Sequence, residues 1–248
     1  MAIAVTNIGT ASSDTTAANP ALTGVTVPSG ALIFIANTGH SPTAGGPSGS
    51  VADTVNTYTA GTPVAIAGTI AQFWGNYFYV ANAGALSGGT ITYSKGLSTD
   101  VADISAFYAT GVATSSPFDA SVFATANDGG SGTTANPAFT LTSGTPAVSG
   151  ELMVAFVASA TTTAVNWFSQ DSGNGWAAPP TSIYLHSTLG DSFENDGGNQ
   201  VNAGVGTKSF APGNSSLTTV YYAAFILGFK AAVAAASPLT RALLGVGK

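Results

Sequence analysis

Residues 101–108, Val-Ala-Asp-Ile-Ser-Ala-Phe-Tyr, are the stretch of sequence that decides the fold class. Every second residue from Ala102 to Tyr108 is apolar or aromatic, whereas Asp103 and Ser105 occupy the positions between them. Successive side chains of a β-strand point to opposite faces of the sheet. The alternation therefore predicts a half-buried strand with Asp103 and Ser105 on the solvent side.

Short runs of this kind recur along the chain, and clusters of Gly, Pro, Asn and Ser separate them. No long helical pattern occurs before the last residues. The clearest runs are residues 31–36, 70–80, 90–93, 101–108, 152–158, 182–186 and 220–229. Together they predict an all-β protein, an antiparallel β-sandwich.

The chain contains an internal repeat. Four short matches follow one another in order at a spacing of 117 to 120 residues. The matched pairs are Ala18–Ala21 with Ala135–Ala138, Ser29–Ala36 with Ser149–Phe156, Asp53–Asn56 with Asp171–Asn174, and Ser105–Phe107 with Ala223–Phe225. An ordered series at a nearly constant offset predicts a duplicated β-unit of about 118 residues. The halves are residues 10–118 and 126–231, within a β-sandwich of residues 1–232.

Two arrangements of the halves follow from this repeat. Each half either forms its own small sandwich, or the two interleave into one pseudo-symmetric sandwich. We favour interleaving, because each half supplies only four or five convincing strands and leaves sheet edges that need cover.

The C-terminal tail, residues 233–248, differs from the rest of the chain. Ser237 and Pro238 suit the N-cap and first position of a short helix over residues 239–244, which Gly245 would end. The leucines that would share one stripe of this helix are Leu239, Leu243 and Leu244. The tail either docks on its own domain or frays, or it is an anchoring peptide that inserts into a neighbouring subunit.

Charged residues are scarce. They make up 6% of the chain, against roughly 25% in an ordinary soluble domain. The net charge is −6, and the few bases, which form no cluster that could neutralise phosphates, are Lys95, Lys208, Lys230, Arg241 and Lys248. We therefore expect no nucleic-acid partner. A neutral surface suits packing against other proteins, although a polar extracellular surface has a similar composition.

Cysteine and targeting signals are absent from the sequence. With no Cys there is no disulfide and no thiolate metal site. The first residues lack the basic and apolar regions of a secretory signal, and no run of about 18 apolar residues predicts a membrane span. We expect a product made in the host cytoplasm and released by lysis as part of a virion; the alternative location is extracellular or at the cell surface.

No catalytic arrangement is evident, and we expect no enzyme. His40 lies in a Gly- and Pro-rich segment predicted to be a loop, and His186 ends the run at 182–186. Neither has a Gly-x-Ser-x-Gly elbow or a second histidine at a metal-binding spacing.

The densest acidic segment contains Asp191, Glu194 and Asp196 between Asn and Gly residues. Oxygen ligands from a flexible loop of this kind bind Ca²⁺, so calcium is the one cofactor considered. The segment does not fit the EF-hand pattern, and a solvated loop in which Asp and Asn form local turns is the preferred interpretation. The same two interpretations apply to Asp171–Asn174.

Two tryptophans flank the Asp171–Asn174 turn. Sugar-binding modules stack pyranose rings on exposed aromatic side chains, so Trp167 and Trp176 are the candidate ligand-binding residues. The competing interpretation places the aromatic side chains in the core, as is expected for the run from Phe73 to Tyr79.

Several turn and strand motifs carry a resemblance to a known group of proteins. The motifs are Asp53–Tyr58 (Asp-Thr-Val-Asn-Thr-Tyr), Ala81-Asn82-Ala-Gly84 and Tyr108-Ala-Thr-Gly111. The sequence resembles uncharacterised β-sandwich proteins, rich in Gly, Thr and Ala, of bacteriophages and bacteria, with the pattern Asp-x-x-Gly-Asn-x-Tyr and then Ala-x-Asn-x-x-Gly. It departs from the pattern at Val55, where the group has Gly. The resemblance implies a jelly-roll or lectin-like sandwich and no catalytic residues.

These observations lead to two expectations about function. The first is a virion structural protein, a capsid decoration, collar or tail-associated subunit, which forms homo-oligomers or binds other virion proteins. The alternative is a carbohydrate-binding or adhesive module that binds a cell-surface glycan.

Overall fold

A computed structural model describes residues 2–14, 18–41, 49–67, 72–127, 140–161, 168–169, 171–180, 183–186, 192–202, 204–214 and 221–233. Within these residues the regular structure is β-strand, apart from one 3₁₀ turn at Ser172–Asn174. The prediction of an all-β antiparallel sandwich is confirmed. No helix of the described part is long and apolar enough to cross a membrane.

The described strands divide evenly between the two halves of the chain. Those of the first half are β1 (Ala4–Ser13), β2 (Ala21–Val27), β3 (Leu32–Ser41), β4 (Ser50–Ala52), β5 (Thr59–Ala60), β6 (Val64–Ala67), β7 (Gln72–Val80), β8 (Leu86–Ser94) and β9 (Val101–Thr110). Those of the second half are β10 (Ala124–Asn127), β11 (Leu141–Thr142), β12 (Glu151–Thr161), β13 (Phe168–Ser169), β14 (Ile183–His186), β15 (Ser192–Asn202), β16 (Ser209–Phe210), β17 (Gly213–Asn214) and β18 (Tyr221–Phe229). Each of the seven predicted runs overlaps one strand, although the runs at 31–36 and 90–93 cover half or less of β3 and β8.

Each half forms one large antiparallel sheet. In the first central sheet the order is β1-β9-β3-β7-β5, with β6 also paired to β7. In the second it is β10-β18-β12-β15-β14. Corresponding positions in the two sheets are thus occupied by strands that come in the same order along each half of the chain. A duplicated unit produces this topology. The duplication itself stays a prediction.

Smaller sheets cover the outer faces. A three-stranded sheet of order β2-β8-β4 belongs to the first half, and the pairs β11-β16 and β13-β17 belong to the second. Every described sheet takes its strands from one half only, so the strands of the two halves do not interleave within a sheet. The halves meet face to face instead, because each large sheet has an apolar face to bury against another layer.

The central core lies between the two large sheets. Phe34 of β3 stacks on Phe107 of β9 with ring centroids 5.2 Å apart, and its ring also meets the edge of Phe156 from the second half. Phe156 stacks on Phe225 at 4.6 Å. The halves therefore share one continuous aromatic core.

Two further apolar clusters lie on the outer faces. One fills the space between the first central sheet and the β2-β8-β4 sheet, and it includes Ile33, Ile35 and Ile104. The other covers the outer face of the second central sheet and includes Trp176 and Phe210. The first central sheet is consequently buried on both faces.

This layering corrects the prediction for residues 101–108. Asp103 and Ser105 both have 0% of their surface exposed. They lie on the face that turns towards the second half, and that half covers it. Alternation along one strand indicates which residues share a face, but it does not reveal that both faces are covered.

Candidate functional site

The junction between the two halves contains the most unusual polar group of the described structure. The segment from Gly111 to Phe123, which links β9 to β10, runs beside the end of β18. Phe118 and Phe229 form an isolated β-bridge, and the Lys230 N–H donates to the Pro117 carbonyl at 2.8 Å. A cavity of about 520 Å³ lies along this segment and is lined by residues 113–116, Val148 and residues 230–233.

Asp119 is the first acid of this junction. It is buried, with 4% of its surface exposed. One carboxylate oxygen accepts from the Ser121 N–H at 3.0 Å and from the Ser121 hydroxyl at 2.7 Å, and the other accepts from the Ala147 N–H at 2.8 Å. Burial by itself raises the pKa of Asp119, but these donors outweigh it and hold the pKa below its ordinary value. Asp119 is therefore an anion that fastens two turns together.

Glu151 is the second acid. It opens β12, at the position that Ala31 occupies in the first half, and none of its surface is exposed. Its Oε1 accepts from the Val148 N–H at 3.2 Å, whereas Oε2 has no hydrogen-bond donor within the described residues. Burial, the hydrogen bond with Asp119 and the Asp119 charge raise the pKa of Glu151 to about 7, although the Val148 N–H and the Lys230 charge oppose this rise.

The two carboxyl groups thus differ in protonation below neutral pH. The protonated form of Glu151 is the one that the hydrogen bond with the Asp119 carboxylate favours. Two carboxyls with pKa values moved apart are an arrangement that enzymes use for acid and base catalysis. Here both are buried and other residues line the adjacent cavity, so the geometry supports a lock between the linking segment and β12.

Trp176 does not lie where the sequence suggested. It is 1% exposed, its indole N–H donates to the Ser209 carbonyl at 2.7 Å, and its ring meets the edge of Phe210 at 5.7 Å. It closes the outer core of the second half. A sugar ring therefore has no exposed indole face to stack on at this position, and Trp167 lies outside the described residues.

The turn beside Trp176 is held by its own polar side chains. The Asp171 carboxylate accepts from the Asn174 side-chain amide at 2.8 Å and from the Ala211 N–H at 2.6 Å. Asp53 and Asn56 repeat this pairing in the first half, at 2.9 Å. Both Asp-x-x-Asn segments are local turns, and for Asp171–Asn174 this is what the preferred interpretation expected.

The acidic segment is a strand and not a loop. Residues from Ser192 onward form β15, which pairs with β12 along its whole length. Asp196 is 1% exposed within that strand, and its carboxylate accepts from the Gly197 N–H at 2.7 Å. Asp191 and the Glu194 side chain lie outside the described residues. Those residues contain no cluster of three or more His, Cys, Asp or Glu side chains able to hold a metal ion.

One of the two histidines also differs from expectation. His40 is not in a loop: it lies in β3 with 2% of its surface exposed, on the same face as Asp103. The Asp103 carboxylate makes no hydrogen bond to any described residue, so the two do not form a histidine–carboxylate pair. His186 ends β14, and nothing is described of its side chain.

Reasoning from sequence missed the Asp119–Glu151 pair. One signal was available, because Glu151 replaces alanine within an otherwise apolar repeat of the first half. The three leucines of the tail, Leu239, Leu243 and Leu244, lie outside the described residues. Scans against family models and searches of curated proteins and of solved structures found no match to this chain.

Proposed function

We propose that this protein is a structural subunit of a virus particle, which acts by packing its neutral surface against copies of itself and against other virion proteins. The supporting observation is where its few charges lie. Six of the 11 acidic residues are buried, namely Asp100, Asp103, Asp119, Glu151, Asp171 and Asp196. The charged side chains that remain in the described part are all half-buried: Asp14, Asp53, Lys95, Lys208 and Lys230.

The described surface is therefore even less charged than the composition implies. Charged side chains are depleted at the cores of protein interfaces, because burying them costs desolvation and ordering long side chains costs entropy. A surface of Thr, Ser, Asn, Gly and Ala incurs little of either cost. Such a surface packs against neighbouring proteins over a large area without needing complementary charges on them.

The sequence resemblance to bacteriophage sandwich proteins directs the proposal to a virus particle. Candidate positions are those of a capsid decoration, collar or tail-associated protein. The lock between Asp119 and Glu151 fastens the segment that links the halves to the start of β12 in the second half.

The C-terminal segment is the proposed anchor. It follows Val233, which is 94% exposed beside the cavity at the junction. Leu239, Leu243 and Leu244 would insert into a neighbouring subunit, and full burial of each leucine contributes roughly 1.5–3 kcal/mol.

Light scattering coupled to size-exclusion chromatography tests assembly on the full chain across a range of concentrations. We expect the apparent mass to exceed 24.4 kDa and to rise with concentration. A variant with Leu239, Leu243 and Leu244 all replaced by serine should remain at the monomer mass, whereas the matched control Thr240→Ser should assemble normally. A wild-type chain that stays monomeric at every concentration and attaches to no larger particle would contradict the proposal.

A further inference from the structure

A cleft of about 290 Å³ opens between the edge strands β1 and β2. β1 is the last strand of the first central sheet, and β2 is the last strand of the outer sheet beside it. Both strands are irregular here: the register of β1 shifts between Asn7 and Gly9, and that of β2 shifts on either side of Val25. Bulges bend a strand locally, and these two part the sheet edges.

Glycine permits the irregularity in β2. Gly24 has φ +69°, a conformation that other residues rarely adopt, and a Cβ at this position would meet nothing within 4 Å. The path of the backbone therefore forms the cleft, and the cleft does not depend on the conformation of one side chain.

Neutral polar groups line the cleft. Thr6, Asn7, Thr23 and Thr26 are exposed, and Tyr108 is half-buried beside them. None of these five side chains makes a hydrogen bond to another described residue. No lining residue carries a charge.

The Tyr108 ring is held in place by the apolar core beneath the cleft. Its ring packs against the outer core of the first half, between the first central sheet and the β2-β8-β4 sheet. The aromatic group and the two strands are thus ordered before any ligand arrives, which lowers the entropy cost of binding.

We propose that the cleft between β1 and β2 binds a neutral saccharide residue. A charged ligand would meet no countercharge, and an apolar ligand would remove the threonine and asparagine groups from water without replacing their hydrogen bonds. A pyranose ring has hydroxyl groups for Thr6, Asn7, Thr23 and Thr26, and an apolar face for the Tyr108 ring. The volume of about 290 Å³ lies just below the range for small-molecule sites, about 300–1,000 Å³, and suits a single sugar ring. The inference is independent of assembly.

Saturation-transfer NMR tests the site with the full chain and four probes, the methyl glycosides of glucose, galactose, mannose and N-acetylglucosamine. We expect transfer to the ring protons of at least one glycoside. Titration of that glycoside then gives its Kd for the wild type and for each variant.

Thr26→Lys places a long side chain across the cleft from an exposed position and should weaken binding at least about tenfold. Thr125→Lys is the matched control, since Thr125 is an exposed residue of the edge strand β10 in the other half; its Kd should stay within about twofold of the wild type. Tyr108→Phe keeps the packing and removes only the hydroxyl, so it should bind with intermediate affinity. No transfer to any of the four glycosides would overturn the proposal, as would equal binding by the Thr26 and Thr125 variants.

Discussion

Asp103→Val is expected to stabilise the protein. Asp103 lies in the middle of β9, a strand with neighbours on both sides, and none of its surface is exposed. Neither carboxylate oxygen has a hydrogen-bond partner within the described residues. Burial raises the pKa of Asp103 well above its ordinary value, because the charged form would be left without solvation.

The size of the expected stabilisation follows from the missing hydrogen-bond partner of Asp103. A buried polar group without a hydrogen bond costs about 1–3 kcal/mol. Valine is β-branched, suits a central strand and would face the same core as its neighbours Val101 and Phe107. We therefore expect the free energy of unfolding to rise by about 1–3 kcal/mol, with each kcal/mol raising Tm by roughly 2–4 °C in a chain of this size.

The pH dependence of the free energy of unfolding provides a second, independent test of the buried Asp103 carboxyl. The folded protein keeps the Asp103 proton at pH values where the unfolded chain, with a pKa near 3.8, has released it. The wild type should therefore lose stability as pH rises above about 4, by at most about 1.4 kcal/mol per pH unit for this one proton. Asp103→Val removes that part of the slope.

Urea unfolding followed by tryptophan fluorescence, at several pH values from 4 to 9, measures both effects. Asp119→Val is the matched control, since Asp119 is also a buried carboxylate but accepts three hydrogen bonds, from Ser121 and Ala147. It should destabilise the protein by about 1–3 kcal/mol, because the N–H and hydroxyl donors lose their acceptor. A loss of stability in Asp103→Val at neutral pH, together with an unchanged pH slope, would refute the reasoning.

The remaining predictions concern the junction and the central core. Glu151→Gln should remove the part of the stability loss between pH 4.5 and about 7 that Glu151 contributes, because its raised pKa makes this contribution complete below pH 4.5 and lost as pH rises through about 7. A denaturation series across this range measures the slope, and a slope equal to that of the wild type would contradict the proposed proton between Glu151 and Asp119. Gly75→Ala should destabilise the protein by about 1–3 kcal/mol, because its Cβ would lie 2.8 Å from Phe225 Cε2 in the facing sheet. Gly206→Ala is its control and should leave Tm nearly unchanged, since nothing lies within 4 Å of the added atom; equal effects of the two glycine substitutions would exclude a tight contact between the sheets.

The positions of the strands were predictable because they depend on local sequence. Alternating or continuous apolar runs bounded by Gly, Pro and Asn identified β3, β7, β9, β12 and β18, which form the middle of both central sheets. The Asp-x-x-Asn turns were predictable for the same reason, since their hydrogen bonds join residues three apart.

Burial was much less predictable. The acidic segment around Asp196 was interpreted as a loop because its residues are polar, but pairing with β12 makes it a strand. Trp176 follows a turn, yet a different part of the chain, near Phe210, covers it. In both cases the partner lies far away in sequence, and no local pattern contains that information.

The candidate sites also depend on contacts between residues that are distant in the sequence. Asp119 and Glu151 are 32 positions apart in the chain, and only the course of the linking segment beside β18 brings them together. The cleft beside Tyr108 depends on bulges in two strands of different sheets.

The sequence by itself therefore determined the fold class, the places of the central strands and the scarcity of charge, since each is a property of composition or of neighbours along the chain. Only the tertiary structure decided which faces are covered, which acids lie close together and where a cleft opens. The physical reason is that burial and hydrogen bonding depend on the layer packed opposite, and the residues of that layer come from the other half of the chain or from another sheet.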